Sequence, residues 1–211
     1  MNKKGVLIVL SGFSGAGKGT IVKKLLESYD NYALSISMTT RNPRPGEEHG
    51  REYFFVSREE FEKQIAENGL VEYASYCDNY YGTPKAYVEE QLSQGKDVIL
   101  EIEIQGALKI KKRFPQALLL FVTTKSAEVL KKRLTERGTE TKEAINDRMA
   151  RAVEESEGMD KYEYIIVNDD LDTCVKETHS IIQNAKAAAF RNEEFIKTIQ
   201  QELKDLSKGE K

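Results

Sequence analysis

Between residues 12 and 20 the chain reads Gly12-Phe13-Ser14-Gly15-Ala16-Gly17-Lys18-Gly19-Thr20. Glycines at this density let consecutive backbone N–H groups turn toward one point, and the helix that follows adds positive potential at its start. Lys18 at that helix start sets its charge against the helix dipole unless an anion is bound there. The chemistry such a loop serves is the holding of a polyphosphate, with Lys18 reaching the β- and γ-phosphates. Position 19 departs from the general pattern, which has Ser or Thr there for magnesium; the hydroxyl comes one place later, at Thr20. Mg2+ is therefore expected to be held mainly through phosphates and water, and no metal-ligating residue is assigned.

A second group with phosphate chemistry is Arg41 and Arg44, in a loop stiffened by Pro43 and Pro45. Guanidinium forks in a preorganised loop suit bidentate binding of a phosphate. Glu101 and Glu103 follow an apolar run, and two residues apart on a strand they would share a face. Arg133, Arg137 and Arg148 flank the polar segment Arg137 to Lys142, which lacks apolar periodicity and reads as an exposed loop and a candidate lid. Taken singly, each of these arginines is an ordinary solvated charge; together with the glycine-rich loop they suit the neutralising of charge on a transferring phosphoryl group.

These residues need a frame. Val6 to Leu10, Val98 to Ile102, Leu118 to Val122 and Tyr164 to Val167 are short apolar runs separated by helical patterns over Gly106 to Arg113, Ala127 to Glu136, Glu143 to about Glu157 and Asp172 to Ala189. Strands apolar on both faces and alternating with helices predict a parallel sheet sandwiched between helices. The stretch 34–94 breaks that rhythm. It offers strands at Leu34 to Met38, Tyr53 to Val56 and Leu70 to Tyr76, a helix opened by Ser57 and Glu60 as a capping box, and a second helix from Thr83-Pro84 to Gly95. It is expected to be a small mixed α/β insertion. Phe195, Ile199, Leu203 and Leu206 lie at helical spacing near the end, and their face is expected to pack on the body, or else on another subunit.

Composition narrows the class. The 211 residues carry 32 Lys plus Arg against 35 Asp plus Glu, a net charge of -3, so no global positive field drives nucleic-acid binding. No apolar run approaches the ~20 residues that span a bilayer, and the five apolar residues after Lys4 are too few for a signal-peptide core. A cytoplasmic protein is expected. Cys77 and Cys174 are far apart and lack metal-ligand spacing, and His49 and His179 stand alone, so structural roles are expected for all four.

The Gly-Lys-Gly-Thr form resembles nucleoside monophosphate kinases, and the wider pattern resembles the bacterial guanylate kinases. It comprises Gly12 to Thr20, Ser37 to Glu47, Gly50-Arg51-Glu52-Tyr53, Val71-Glu72-Tyr73, Asn79 to Thr83, Ile99 to Gly106 and Ile165 to Asp169, in the family's order from about Lys4 to Ile182. The resemblance implies an α/β fold: a three-layer P-loop kinase core with a parallel sheet (residues 4–33 and 95–185, with a mobile lid at about 135–147). It also implies an inserted GMP-binding domain (34–94), leaving a C-terminal helical extension (186–211). ATP would be held by Gly12 to Thr20, with Arg133 and Asn168 near the adenine. Lys18, Arg137 and Arg148 would act on the transferring phosphate. Arg41, Arg44, Tyr53 and Tyr81 would hold the GMP phosphate, and Glu72, Ser37 and Thr83 the guanine, with Glu101 and Glu103 nearby. Family members usually have Asp where this chain has Glu103. A carboxylate at Glu72 also makes independent chemical sense, because it matches the adjacent N1–H and amino donors of guanine but not the unprotonated N1 of adenine.

The expected reaction is transfer of the γ-phosphate of MgATP to GMP, giving ADP and GDP, by a monomer or homodimer that binds neither membrane nor nucleic acid. Two rivals remain at this point. One is a guanylate-kinase-like binding module that has lost catalysis; the other is a P-loop kinase for a different acceptor.

Overall fold

The structure is a computed structural model that describes residues 4–76, 78–136 and 142–209. The strands are β1 (Leu7–Gly12), β2 (Tyr32–Leu34), β3 (Met38–Thr39), β4 (Phe54–Phe55), β5 (Leu70–Tyr76), β6 (Asn79–Pro84), β7 (Asp97–Glu101), β8 (Leu118–Thr123) and β9 (Tyr164–Val167). The helices are α1 (Lys18–Ser28), α2 (Arg58–Ala66), α3 (Lys85–Ser93), α4 (Ile104–Arg113), α5 (Ala127–Glu136), α6 (Lys142–Ser156), α7 (Leu171–Lys186) and α8 (Glu193–Gly209).

Among the described residues the main sheet has five strands in the order β2-β7-β1-β8-β9. All of its ladders are parallel. β1 therefore lies at the centre, and its residues Ile8, Val9 and Leu10 are 1% exposed or less. The β-branched and Leu-rich runs read as strands because helices cover both faces. Ile21, Val22 and Leu25 of α1 and Ala107 and Ile110 of α4 supply buried stripes of that cover. The carboxyl ends of β1, β7, β8 and β9 come together at Gly12, Glu101, Thr123 and Val167, the edge where open α/β sheets bind ligands.

The insertion forms its own four-stranded sheet, β4-β3-β6-β5, over a small core of Met38, Phe61 and Leu70. Its tie to the main body is apolar as well as polar: Val71 and Val88 are buried in the main core, and Arg113 Nη1 of α4 donates to the carbonyls of Leu70 and Val71 at 2.9 and 3.1 Å. The capping serine is present, with Ser57 Oγ accepting from Glu60 N at 3.1 Å.

Several boundaries differ from the sequence reading. The expected strand Leu34 to Met38 splits in two, with Tyr32–Leu34 in the main sheet and Met38–Thr39 in the insertion; Ser35 N still bonds Ile99 O of β7 before the chain crosses over. Pro84 is the last residue of β6 and the N-cap of α3, not its first helical residue. β6 itself went unread, since Asn79 to Pro84 is polar and carries a glycine. The final helical pattern is interrupted at residues 187–192 by a short 3-10 turn, Ala189–Arg191.

At the amino ends of the strands lies a buried ion pair. Asp97, fully buried, meets Lys186 Nζ at 2.9 Å and also accepts from Val6 N and Asn31 Nδ2, tying β1, β2, β7 and α7 together. Lys186→Met is expected to destabilise the fold by about 3 kcal/mol, because it leaves a buried carboxylate without its counter-charge. Urea unfolding of the two proteins measures it, and an unchanged midpoint would mean that the remaining hydrogen bonds suffice. His179 is structural as expected: it is hydrogen-bonded to the Tyr32 hydroxyl at 2.7 Å and stacks on Tyr29 at 3.7 Å. Cys174 is buried, and burial pushes its thiol pKa up, away from reactivity; Cys77 lies outside the described residues. No helix among the described residues is long and apolar enough to cross a membrane.

Candidate active site

The loop between β1 and α1 takes the shape its glycines allow. Gly12, Gly15 and Gly17 have φ of 147°, 88° and 92°. A methyl group on Gly17 would also come within 2.4 Å of Asn168 Nδ2, so both conformation and space require glycine there. Lys18 is the first residue of α1, and its Nζ donates to the carbonyls of Gly12 at 2.7 Å and Phe13 at 3.2 Å. Above the loop opens a cavity of about 360 Å³ lined by Ser14, Lys18, Thr20 and Glu101 among others.

Side chains from distant parts of the chain brace this loop. Asn168, at the end of β9, donates to Ala16 O at 2.8 Å, and Arg133 of α5 donates to Asn168 O at 2.8 Å. Both had been expected near the adenine. Asn168 braces the loop at Ala16, and Arg133 braces Asn168 with its Nη1 3.5 Å from Ala16 O, so both also hold the phosphate cradle in shape. Arg148 of α6 reaches the loop directly and donates to Ser14 Oγ. Arg137 lies outside the described residues, as does the rest of 137–141, while 142–147 of the expected lid form the start of α6.

Glu101 ends β7 beside the loop, where burial pushes its carboxyl pKa up and Lys18 pulls it partly back. Glu103 does not share its strand: it is the N-cap residue of α4, so the expected same-face pairing fails. The strand ends at Glu101, one residue before the expected Ile102, whose carbonyl accepts from Ser11 Oγ, and α4 begins at Ile104. Sequence reasoning also missed Glu155 of α6, a half-buried acid near Lys18 and Glu103. Burial holds its pKa up, Lys18 lowers it and Glu103 adds to the rise. Its helical stretch is rich in acids, and nothing local marked this one.

The insertion gathers the second group. Glu72 of β5 accepts from Thr83 Oγ1 of β6 at 3.0 Å, and its other oxygen faces Gly106, 3.6 Å from where a side chain would begin. Burial pushes the Glu72 carboxyl pKa above the ordinary glutamate value of 4.5. Ser37 lies next to β3, opposite in chain order but in the same small sheet region, and its carbonyl accepts from Phe54 N. Arg41, Tyr53 and Tyr81 cluster as expected: the guanidinium carbon is 5.3 Å from the Tyr53 ring centre, and the two tyrosine rings are 6.0 Å apart. Arg44 is exposed on the loop. Glu47 organises this loop. It takes two hydrogen bonds from Arg41, at 2.9 and 3.0 Å, and one from Arg44 N at 2.8 Å. The Arg41 hydrogen bond holds the Glu47 carboxyl below the usual carboxylate range. Its position in the motif was noted; its role as the clamp on Arg41 became visible only in three dimensions.

Magnesium can be tested against these residues. Gly19 offers no hydroxyl, and no group of three or more His, Cys, Asp or Glu able to hold a metal occurs among the described residues. The residues fit a cation carried by the phosphates, with the Glu101 carboxylate lining the same cavity.

A central strand leading through a glycine-rich loop into a helix, a parallel sheet, and an acceptor-side insertion with its own arginine–tyrosine cluster define a P-loop phosphotransferase. Residues 4–185 match the guanylate kinase family. The guanylate kinase of Caldanaerobacter subterraneus subsp. tengcongensis is 47% identical over 202 residues, covering 96% of this chain and 98% of its own. That of Desulfitobacterium hafniense is 48% identical over 187 residues, covering 89% and 94%. The crystal structure of guanylate kinase from Anaplasma phagocytophilum superposes with a TM-score of 0.71 at 29% identity and 90% coverage of each chain. This chain belongs to the guanylate kinase family, the ATP:GMP phosphotransferases.

Proposed function

We propose that a GMP phosphate oxygen attacks the γ-phosphorus of ATP in line, forming the new P–O bond as the bond to ADP breaks, with no covalent enzyme intermediate. The observation that carries this reading is the insertion's half-buried Glu72, held by Thr83 and set in the same small sheet as Arg41, Tyr53 and Tyr81. Guanine offers two adjacent donors to such a carboxylate, and the arginine–tyrosine cluster suits the phosphate at the other end of the nucleotide.

The second pKa of a phosphate monoester is near ~6, so the acceptor is largely ionised at neutral pH and needs no catalytic base. The protein's work is positioning and charge. Backbone N–H groups of residues 12–20 hold the donor phosphates. Lys18 leaves its contacts with Gly12 and Phe13 for the phosphate oxygens, and Arg148 turns from Ser14 to the transferring group, joined by Arg137. Bound to the donor phosphates, Mg2+ would supply neutralisation of the charge that develops on the leaving ADP, and Glu101 is the carboxylate lining that cavity that would help hold it. The Thr20 hydroxyl and Glu103 take no assigned part.

We take 34–94 as the moving GMP-binding domain, because it has a core of its own, and about 135–147 as the lid. Closure of both would exclude water and limit hydrolysis of ATP. We place the enzyme in the cytoplasm, with its nucleotide substrates.

The direct test is ADP formation from MgATP with GMP, AMP, CMP, UMP or no acceptor. Turnover with GMP should exceed every other acceptor by at least about 100-fold. Comparable turnover with AMP would remove Glu72 from guanine recognition. Nucleotide binding without any turnover would favour the inactive binding module.

A further inference from the structure

Helix α4 meets β5 along one stripe. Gly106, in its first turn, leaves room for the Glu72 carboxylate, whose Oε2 lies 3.6 Å from where a side chain would begin. Arg113, at its end, donates to the carbonyls of Leu70 and Val71, the two residues that lead into Glu72. At about 3.6 residues per turn, positions 106 and 113 fall within about 20° of each other around the helix, so the stripe between them runs along β5. Lys109 lies between the two, about 60° to one side, on the flank away from the buried Ala107 and Ile110. It is exposed, and its flexible four-carbon stem can carry the ammonium to the open side of Glu72.

The surroundings of Glu72 hold few charges. β6 supplies the Thr83 hydroxyl, which does not titrate in this range. On α3, which also packs on β5, Lys85 pairs with Glu89 at 3.5 Å and Glu90 acts on Tyr87. On β5 itself the neighbouring Tyr73 is exposed. From α4, Arg113 is committed to the two β5 carbonyls, and Lys109 is the cation that acts on Glu72. Burial pushes the Glu72 carboxyl up; the Thr83 hydrogen bond and then the Lys109 charge bring it partly back. Guanine seated on Glu72 would displace water from it, and a carboxylate stripped of water needs a counter-charge or takes up a proton. The other acceptor-side cation in contact with a carboxylate, Arg41, is already shared with Glu47.

We propose that Lys109 is a positioning residue for acceptor recognition: from the flank of α4 its ammonium holds Glu72 in the ionised form that accepts both guanine donors, and so extends GMP selection to lower pH. This rests on the assignment of Glu72 to guanine. Lys109 touches neither the strand pair nor the phosphate loop, so its effect is confined to the charge state of one carboxylate.

The test is kcat/KM for GMP from about pH 5 to 8 in the full-length enzyme with Lys109 replaced by Arg, Met or Glu. Lys109→Met removes the charge that favours ionised Glu72, so Glu72 takes up its proton at a higher pH than in the wild type. The expected loss is about twofold to fivefold near the acid end, the size of one exposed charge pair, shrinking toward the alkaline end and appearing in KM more than in kcat. Lys109→Arg should restore the wild-type profile, and Lys109→Glu should lose about twice as much on a logarithmic scale. At about 1 M salt, where the screening length is ~3 Å, the variants should converge. KM for ATP should stay the same throughout, and Lys109→Met should add nothing to Glu72→Gln. A loss equal at every pH, or one that arginine does not restore, would give Lys109 a structural part and overturn the proposal. Wild-type profiles for the Met and Glu variants, with Glu72→Gln still impaired for GMP, would remove Lys109 and keep Glu72. Unchanged GMP selection in Glu72→Gln would remove both.

Discussion

Lys18→Ala is expected to lower kcat by about 10³ or more while the chain stays folded. Preorganised cations aimed at the transferring phosphoryl group supply effects of this size, from 10²–10³ for one lost donor to ~10³–10⁵ for an arginine finger. The fold has little reason to suffer. Lys18 is the first residue of α1, where a positive charge opposes the helix dipole, so its removal relieves an unfavourable interaction. What is lost includes the bonds to Gly12 O and Phe13 O and the charge that favours ionised Glu101 and Glu155, in a loop that Asn168 and Arg133 also hold. Thermal unfolding of the variant should match the wild type, and ATP affinity should fall far less than kcat. Wild-type turnover in the alanine variant would remove Lys18 from the chemistry.

The second large effect is on acceptor selection. Glu72→Gln should reduce kcat/KM for GMP by about 10² to 10³ and leave the KM for ATP nearly unchanged. Glutamine can still accept from Thr83, so the strand pair is kept, but its amide places a donor where guanine also has donors. A buried donor facing a donor leaves both unpaired, which costs more than the loss of a single hydrogen bond. The pH dependence has a definite sign. Burial raises the Glu72 carboxyl above 4.5, so on acidification it takes up a proton earlier than an ordinary glutamate, and the protonated form is the poorer acceptor. kcat/KM for GMP should therefore fall as pH drops toward that raised value. The glutamine variant should lack this component and keep only the part due to the GMP phosphate. Equal losses for GMP and ATP would show that Glu72 supports the fold and not the guanine.

Much of this was legible in the sequence because it is written in consecutive residues. The glycine-rich loop is a local backbone requirement, and positive φ at Gly12, Gly15 and Gly17 is what glycine is for. The buried strands were legible because a sheet covered on both faces needs unbroken apolar runs. β6 was not, since a polar strand carrying a glycine has no such signature. Glu103 was misplaced for a similar reason: a strand's last residue and a helix's N-cap look alike when both are acidic, and the Ser11 bond to Ile102 O between them spans 91 residues.

The sequence by itself determined the fold class, the phosphate loop, the acceptor-side residue types and, through the family pattern, the reaction. Only the tertiary structure decided which charges meet. Asn168 holds Ala16 across 152 residues and Arg148 holds Ser14 across 134, while Glu47 is committed to Arg41 and α8 stands free of the body it was expected to cover. The reason is range. Backbone conformation and apolar periodicity are set by neighbours within a turn or two, whereas a side chain's partner is chosen by whatever the packed core brings alongside it.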